Sequence, residues 1–406
     1  MQSMATDRPF IPIAKPWLLE EEAEAARGPI LSGWVTQGPE VAAFESEFAA
    51  YVGAKHACAV SNCTTALHIA LLALGIGKGD EVITASHSFI ATANSIRYCG
   101  ATPVFADIEP ATFNLDPTNL ESAITERTAA ILAVHQIGMP CDLARIVEIG
   151  RRHHLPVVED AACATGSGIL WNGQWETLGR PHGDIACFSF HPRKVITTGD
   201  GGMLTTSRPE WDRQFRLLRQ HCMDVNDSVR HGSSEVLFES YPGVGFNYRL
   251  TDIQAAIGRK QLERLPEIIA RRRALADRYR VLLQPLERLR LPEEPVWARS
   301  NWQSYCVRLP ETLDQRQVMQ TMLDAGIATR RGVMCSHREA AYPRSTWNCG
   351  SVDCACAAGS CARLIESERA QDHSIVIPLF AQMTFAEQDR VVEALHAAIA
   401  AAVVEV

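Results

Sequence analysis

The stretch "HACAVSNCTTALHIALLALG" (residues 56–75) passes from one secondary-structure pattern to another within a few residues. Its first part is short and almost continuously apolar, as in a strand covered on both faces, and its second part reads as a helix. Ser61, Asn62, Thr64 and Thr65 stand at the junction and are residue types that cap helices. The step recurs in "EVITAS" followed by "FIATANSIRYCG", and further β-rich runs follow in "TPVFADI", "AAILAVHQ", "LPVVEDAA", "DIACFSF" and "GGMLTTS". Strands alternating with helices predict βαβ units, hence an α/β fold with a mostly parallel sheet and helices on both faces.

The chain has 406 residues, enough for two or three domains. The helical stretch "TDIQAAIGRKQLERLPEIIARRRALADRYRVLLQPL" shifts from apolar to charged composition and marks a hinge near residues 255–285. We therefore expect an N-terminal arm and large domain over residues 1–270 and a smaller α+β domain over residues 271–406. In the latter, "SYCVRLP" and "SIVIPLF" read as strands, "LDQRQVMQTMLDAG" as a helix closed by Gly326, and "TFAEQDRVVEALHAAIAAAV" as a helix whose Thr384 and Glu387 have capping-box spacing.

Composition narrows the function. Apolar residues make up 47% and charged residues 21%, as in folded proteins of ordinary type. The net charge of −8 gives no global basic field, which disfavours nucleic acid and anionic membranes as partners and leaves a small molecule. The N-terminus lacks a signal-like apolar region and the apolar C-terminal tail is too short to span a bilayer, so a cytoplasmic location is expected. Thirteen cysteines is an odd number, and several lie inside apolar strands, which argues against a secreted disulfide framework.

In open α/β sheets ligands bind beyond the carboxyl ends of the strands. "LPVVED" ends in Glu159 and Asp160, "DIACFSF" leads to Ser189 and Lys194, and "HACAVSN" opens into a helix N-terminus, where free backbone N–H groups favour a phosphate. The glycines of "TGDGG" precede a strand and are not a dinucleotide fingerprint. A lysine, a buried carboxylate and a phosphate cradle together suit pyridoxal phosphate, whose aldehyde forms a Schiff base with a lysine while a carboxylate keeps its pyridine nitrogen protonated.

The ordered segments "VSNCTTALHIALLALGIGKGDEVITASHSFIATAN", "GATPVFADIEPATFNLDP", "VVEDAACATGS", "CFSFHPRKVITTGDGGM" and "VGFNYRLTDIQAAIG" resemble the DegT/StrS family of pyridoxal-phosphate-dependent sugar aminotransferases, particularly its perosamine-synthase-like members. The resemblance runs from "SGWVTQGPEVAAFESEFA" to "SIVIPLFAQMT". It implies an aspartate-aminotransferase-like (type I) fold and a homodimer with sites at the interface. It also implies transfer of an amino group, usually from glutamate, to a keto sugar, usually linked to a nucleotide diphosphate.

Carried over by position, Lys194 falls on the Schiff-base lysine, Asp160 on the partner of the pyridine nitrogen, and Phe89 on the ring stacked against the cofactor. Thr64, Thr65 and Ser189 match phosphate-binding positions, and Asn247 matches an asparagine that reaches the phosphate from the neighbouring subunit. Cys163 departs from the family, which commonly has Gln, His or Glu there near the cofactor's phenolic oxygen; a thiol is a weaker donor. Cys63 stands where many relatives have Gly.

Arg330, Arg331 and nearby His337 are candidates for diphosphate or sugar contacts, since the guanidinium fork suits phosphate oxygens, and Trp34 is a candidate for lining the sugar pocket. The loop bearing Cys349, Cys354, Cys356 and Cys361 lacks a common zinc-finger or ribbon spacing, so it reads as an embellishment and no metal is expected there. Two other functions fit the same scaffold. A sugar dehydratase of this kind replaces the lysine with histidine, and a non-catalytic regulator would be expected to lack Lys194 or Asp160; both residues are present.

Overall fold

The computed structural model describes residues 9–225, 234–286, 288–351, 353–354, 356–357 and 359–403. Residues 1–8 and 404–406, on which the terminal readings above rest in part, lie outside the described residues.

The first nine strands are β1 (His56–Val60), β2 (Glu81–Ala85), β3 (Thr102–Ala106), β4 (Thr128–Val134), β5 (Val157–Asp160), β6 (Gly168–Trp171), β7 (Gln174–Thr177), β8 (Ile185–Ser189) and β9 (Gly202–Thr206). Seven of them form one sheet in the order β1-β9-β8-β5-β4-β2-β3, and every pair is parallel except the two made by β9. All residues of β2, β8 and β9 are buried, which accounts for their continuous apolar character. The β6–β7 hairpin stands apart and pairs with Ala298–Arg299.

Local chemistry fixes the helices. Asn62 caps the helix Cys63–Ala73 by accepting the N–H of Thr65 at 2.9 Å. Asp252, at the start of the long helix Asp252–Leu283, also receives the N–H groups of Gly38 (2.7 Å), Val41 (3.0 Å) and Glu40 (3.1 Å), capping the helix Pro39–Val52. That second helix buries Phe44 and Phe48 against Phe190 and Phe188, with ring centroids 5.2 and 5.0 Å apart. The expected capping box closes at the last helix, Phe385–Val403: Thr384 N–H donates to Glu387 at 2.8 Å and Glu387 N–H to the Thr384 hydroxyl at 3.2 Å.

The long helix joins two cores. Leu262, Leu265, Ile268 and Ile269 pack in the core under the large sheet, whereas Leu275, Ala276, Tyr279 and Leu283 pack in the second. The second core lies on a small antiparallel sheet with Ser374–Ile377 between Tyr305–Arg308 and Arg330–Arg331.

Two segments cross a division at residue 270. Ile11 is buried in the second core and exchanges backbone hydrogen bonds with Gly326 and Ala328, because the arm pairs beside Ile327. Conversely, Tyr342, Trp347, Cys349, Cys361 and Leu364 pack on Phe105 and Ala93, covering the edge strand β3 of the large sheet. Among the described residues no helix is long and apolar enough to cross a membrane.

Candidate active site

Parallel strands bring the ends of β1, β8, β5, β4 and β2 to one rim of the sheet, and the predicted residues gather there. Neighbours on a strand face opposite ways, so the Glu159 and Asp160 pair is split. Glu159 faces His135, whose Nε2 lies 3.2 Å away, and accepts the Gly183 N–H at 2.7 Å. His135 Nδ1 accepts the Cys141 N–H at 3.1 Å, which places the ring proton on Nε2, toward Glu159. Burial pushes the Glu159 pKa up, but His135, His182 and the Gly183 N–H outweigh it and hold the group below its ordinary value. Glu159 is thus spent on structure.

Asp160 is buried on the other face. The Thr92 hydroxyl donates to Oδ2 at 2.7 Å and the Ala162 N–H to Oδ1 at 3.2 Å, leaving each oxygen a further lone pair. Burial raises its pKa, and the donors together with Lys194 only partly offset this. Thr92 sits on the helix Ile90–Tyr98, and its hydroxyl lies 2.7 Å from that of Ser88. Phe89 caps the same helix and is 61% exposed, so its ring is not core packing.

Lys194 lies in the turn between β8 and β9. Its N–H donates to the His191 carbonyl at 2.8 Å, and Thr198 N–H and the Thr197 hydroxyl both donate to the Phe190 carbonyl, at 3.0 and 2.7 Å. The ammonium donates to Cys163 Sγ at 3.1 Å. Burial works against its charge, but Cys163, then Cys63 and the Asp160 carboxylate, hold its pKa above the ordinary lysine value. Cys163, Cys63, Asp160 and Lys194 are therefore one cluster.

A second layer, absent from the sequence reading, fixes this cluster. Asn301 Nδ2 donates to the carbonyls of Cys163 (2.8 Å) and Thr165 (2.9 Å), and Gln303 Nε2 to that of Arg193 (2.8 Å). Gly138 makes room for the brace: its φ is +95° and a Cβ there would lie 2.1 Å from Asn301 Oδ1.

The rim also contains an anion cradle. The helix Cys63–Ala73 starts directly on β9, because Gly202 has no side chain; a Cβ there would come within 2.5 Å of the Asn62 carbonyl and 2.8 Å of Cys63 N. Ser189, opposite Gly202 in register, is buried with its hydroxyl 3.4 Å from the His191 N–H. Thr64 is half-buried in the first turn. Thr65 differs from expectation: its hydroxyl donates to the Asn62 carbonyl at 2.8 Å, so it serves the helix cap.

The candidate substrate residues separate. Arg330 and Arg331 are adjacent on one strand and face opposite ways. Arg330 sits near His191 and Arg193; after burial and Arg193 itself, its charge helps to lower the pKa of His191, and after burial it lowers that of Arg193. Arg331 instead lies 3.6 Å from Glu339. His337 corrects the sequence reading. Its ring is buried, with Nδ1 2.6 Å from the Ser86 hydroxyl and Nε2 3.1 Å from Glu368, so no ring nitrogen remains for a substrate. Trp34 lies over Gly38, its indole N–H donating to the Gln37 carbonyl at 3.3 Å. Asn247 is exposed between Phe246 and Tyr248, whose rings stack on each other at 4.8 Å and pack on His68.

The cysteine loop also departs from expectation. Its four sulfurs, whose spacing matches no common zinc ribbon, converge to within 4.8 Å of one another because a short hairpin folds Cys356 opposite Cys361.

Residues 17–396 match the DegT/DnrJ/EryC1/StrS aminotransferase family. The chain belongs to this family. It is 44% identical over 329 residues to GDP-perosamine synthase of Caulobacter vibrioides, covering 80% of this chain and 85% of that one. Its fold is similar to that of the aminotransferase TlmJ from Streptoalloteichus hindustanus, with a TM-score of 0.85 and 32% identity over 96% of this chain and 99% of the other. It is likewise similar to the putative sugar aminotransferase Spr1654 from Streptococcus pneumoniae, solved in PLP and PMP forms, with a TM-score of 0.86 and 25% identity over 98% of this chain and all of the other. The protein is a pyridoxal-phosphate-dependent sugar aminotransferase, which makes an amino sugar by transamination. The rim fits that cofactor. Asp160 has lone pairs to spare, Lys194 ends among soft sulfurs, and Gly202 keeps the helix N-terminus open to a phosphate.

Proposed function

We propose that this aminotransferase acts in the cytoplasm as a homodimer on a keto sugar carried by a nucleotide diphosphate, with glutamate as amino donor. The observation that carries the substrate class is the pair of guanidinium groups of Arg193 and Arg330, gathered with the His191 ring near Lys194. Such a group suits the phosphates of an activated sugar and, in the other half-reaction, the carboxylates of an amino acid. The name of the Caulobacter vibrioides relative, a GDP-linked sugar enzyme, supports the same class.

Bound pyridoxal phosphate supplies the carbonyl carbon and the electron-withdrawing ring on which transamination depends. The chain's own residues divide the remaining work. Lys194 Nζ anchors the cofactor and, once released, takes a proton from one carbon and returns it to another, so anchor and acid/base are one group. Asp160 holds a proton at the ring nitrogen and is itself held by Thr92 and Ala162. Phe89 covers the ring face, and the N-terminus of the helix Cys63–Ala73, with Thr64 and Ser189, receives the phosphate. Cys163 is the thiol at the phenolic oxygen. Asn247, exposed on its own chain, completes the phosphate site of the partner chain.

The test is a screen of keto sugars, free and linked to guanosine, uridine or thymidine diphosphate, with glutamate as donor and 2-oxoglutarate release as readout. We expect release with at least one nucleotide-linked sugar and a higher KM when Arg330 is changed to Ala. Equal turnover of the free sugar would remove the nucleotide from the proposal, and no release with any acceptor would remove the substrate class.

A further inference from the structure

We propose that Cys349, Cys354, Cys356 and Cys361 form a structural zinc site of four thiolates, in a part of the fold remote from the chemistry of Lys194. Zinc bound by thiolates at about 2.3 Å sets sulfur–sulfur separations of roughly 3.8 Å at the corners of a tetrahedron. The sulfurs of Cys349 and Cys356 lie 3.7 Å apart, those of Cys354 and Cys361 3.6 Å, and those of Cys356 and Cys361 3.2 Å, with all four within 4.8 Å. The contacts form a cluster and not two isolated pairs: Cys356 meets both Cys349 and Cys361, and Cys361 meets both Cys354 and Cys356. Two disulfides would divide the four sulfurs into separate couples.

The backbone supplies this arrangement in a C-x4-C-x-C-x4-C spacing. The hairpin of Cys356–Ala357 and Ser360–Cys361 turns at Gly359, whose φ is +77°, and puts Cys356 opposite Cys361. Cys356 N–H donates to the Cys354 carbonyl at 2.9 Å, which folds Cys354 back onto the hairpin. Cys349 arrives from the segment that runs beside β3, where Phe105 N–H donates to the Asn348 carbonyl at 2.8 Å. Four closed sulfur ligands and no open position are the pattern of a structural zinc centre.

The surroundings hold the loop in place. The Arg338 side chain holds the hairpin by donating to the Gly359 carbonyl at 2.9 Å. The role is also legible. Cys361 N–H donates to Glu368 at 2.6 Å, Glu368 meets His337 at 3.1 Å, and His337 meets Ser86 at 2.6 Å, just beyond β2. Cys349 and Cys361 meanwhile pack with Trp347 on Phe105 and with Ala93, one residue from Thr92. The metal therefore clips the loop to the edge strand and to the helix that carries Phe89 and Thr92.

The full-length holoenzyme, purified without chelator, is to be analysed for zinc and iron beside the Cys354→Ser/Cys356→Ser double variant. We expect about one zinc per wild-type chain and a loss of most of it in the variant, with a melting temperature lower by several degrees and pyridoxal phosphate still bound. Should the variant fail to fold, wild-type protein reloaded with cobalt decides, since four thiolates give it strong sulfur-to-metal charge-transfer and tetrahedral d–d bands. Iron in place of zinc, zinc retained in the variant, four reactive thiols without metal, or two disulfides in the purified protein would each overturn the proposal.

Discussion

Changing Asp160 to Asn is expected to lower turnover by about 10²–10³-fold, the usual loss when one preorganised charge at a reacting centre is removed, while the protein folds and still takes up pyridoxal phosphate. The exchange is nearly isosteric. Thr92 now donates to Oδ2, and its hydroxyl oxygen lies 2.7 Å from that of Ser88. With an amide at position 160, Thr92 turns its proton to Ser88 and accepts the amide N–H, so no buried group is stranded. What disappears is the negative charge proposed to keep the ring nitrogen protonated. Single-turnover kinetics with glutamate, beside cofactor content, separate the two effects. An Asn variant that binds cofactor and turns over like the parent would show that Asp160 does not hold that proton.

A larger relative change is expected when two crippled chains are combined. A Lys194→Ala chain lacks the proposed anchor, and an Asn247→Asp chain would set a carboxylate against the partner's phosphate in the proposed shared site. If each site takes Lys194 from one chain and Asn247 from the other, the mixed dimer has one site with both lesions and one with neither. Both parents should be nearly inactive, and the isolated heterodimer should regain about half of the wild-type activity, since one of two equivalent sites is intact. The exposure of Asn247 on the face opposite the Phe246–Tyr248 stack motivates the experiment. A heterodimer no better than its better parent would place Asn247 within its own site and leave the cofactor assignment standing.

The sheet and the two central residues were legible because they rest on local pattern. Apolar runs followed by helix caps mark parallel strands, and the strand ends deliver Asp160 and Lys194 to one rim without further information. Features that depend on direction or distance were not. "RR" at 330 and 331 looks like one basic patch, yet the strand sends Arg330 toward Arg193 and Arg331 toward Glu339. His337 follows them closely in sequence but is turned inward to Ser86 and Glu368. Thr92 and Asn301 reach the cluster from other elements, and nothing in their neighbourhoods signals a bond to Asp160 or to the Cys163 carbonyl. The cysteine spacing looked irregular because it was compared with known ribbons; the hairpin turn at Gly359 is what closes it.

The central claim is that Lys194 is the amine that carries the cofactor. Borohydride reduction of the loaded enzyme, followed by peptide mapping, measures this directly. Because the sulfurs of Cys163 and Cys63 and the Asp160 carboxylate outweigh burial and raise the pKa of Lys194, its amine stays protonated to higher pH than an ordinary lysine, and uptake of pyridoxal phosphate by the apoprotein should accelerate as pH rises. Reduction after loading should leave one pyridoxyl group per chain, on the peptide that contains Lys194. A pyridoxyl group on a different lysine, or none after incubation with the cofactor, would contradict the account.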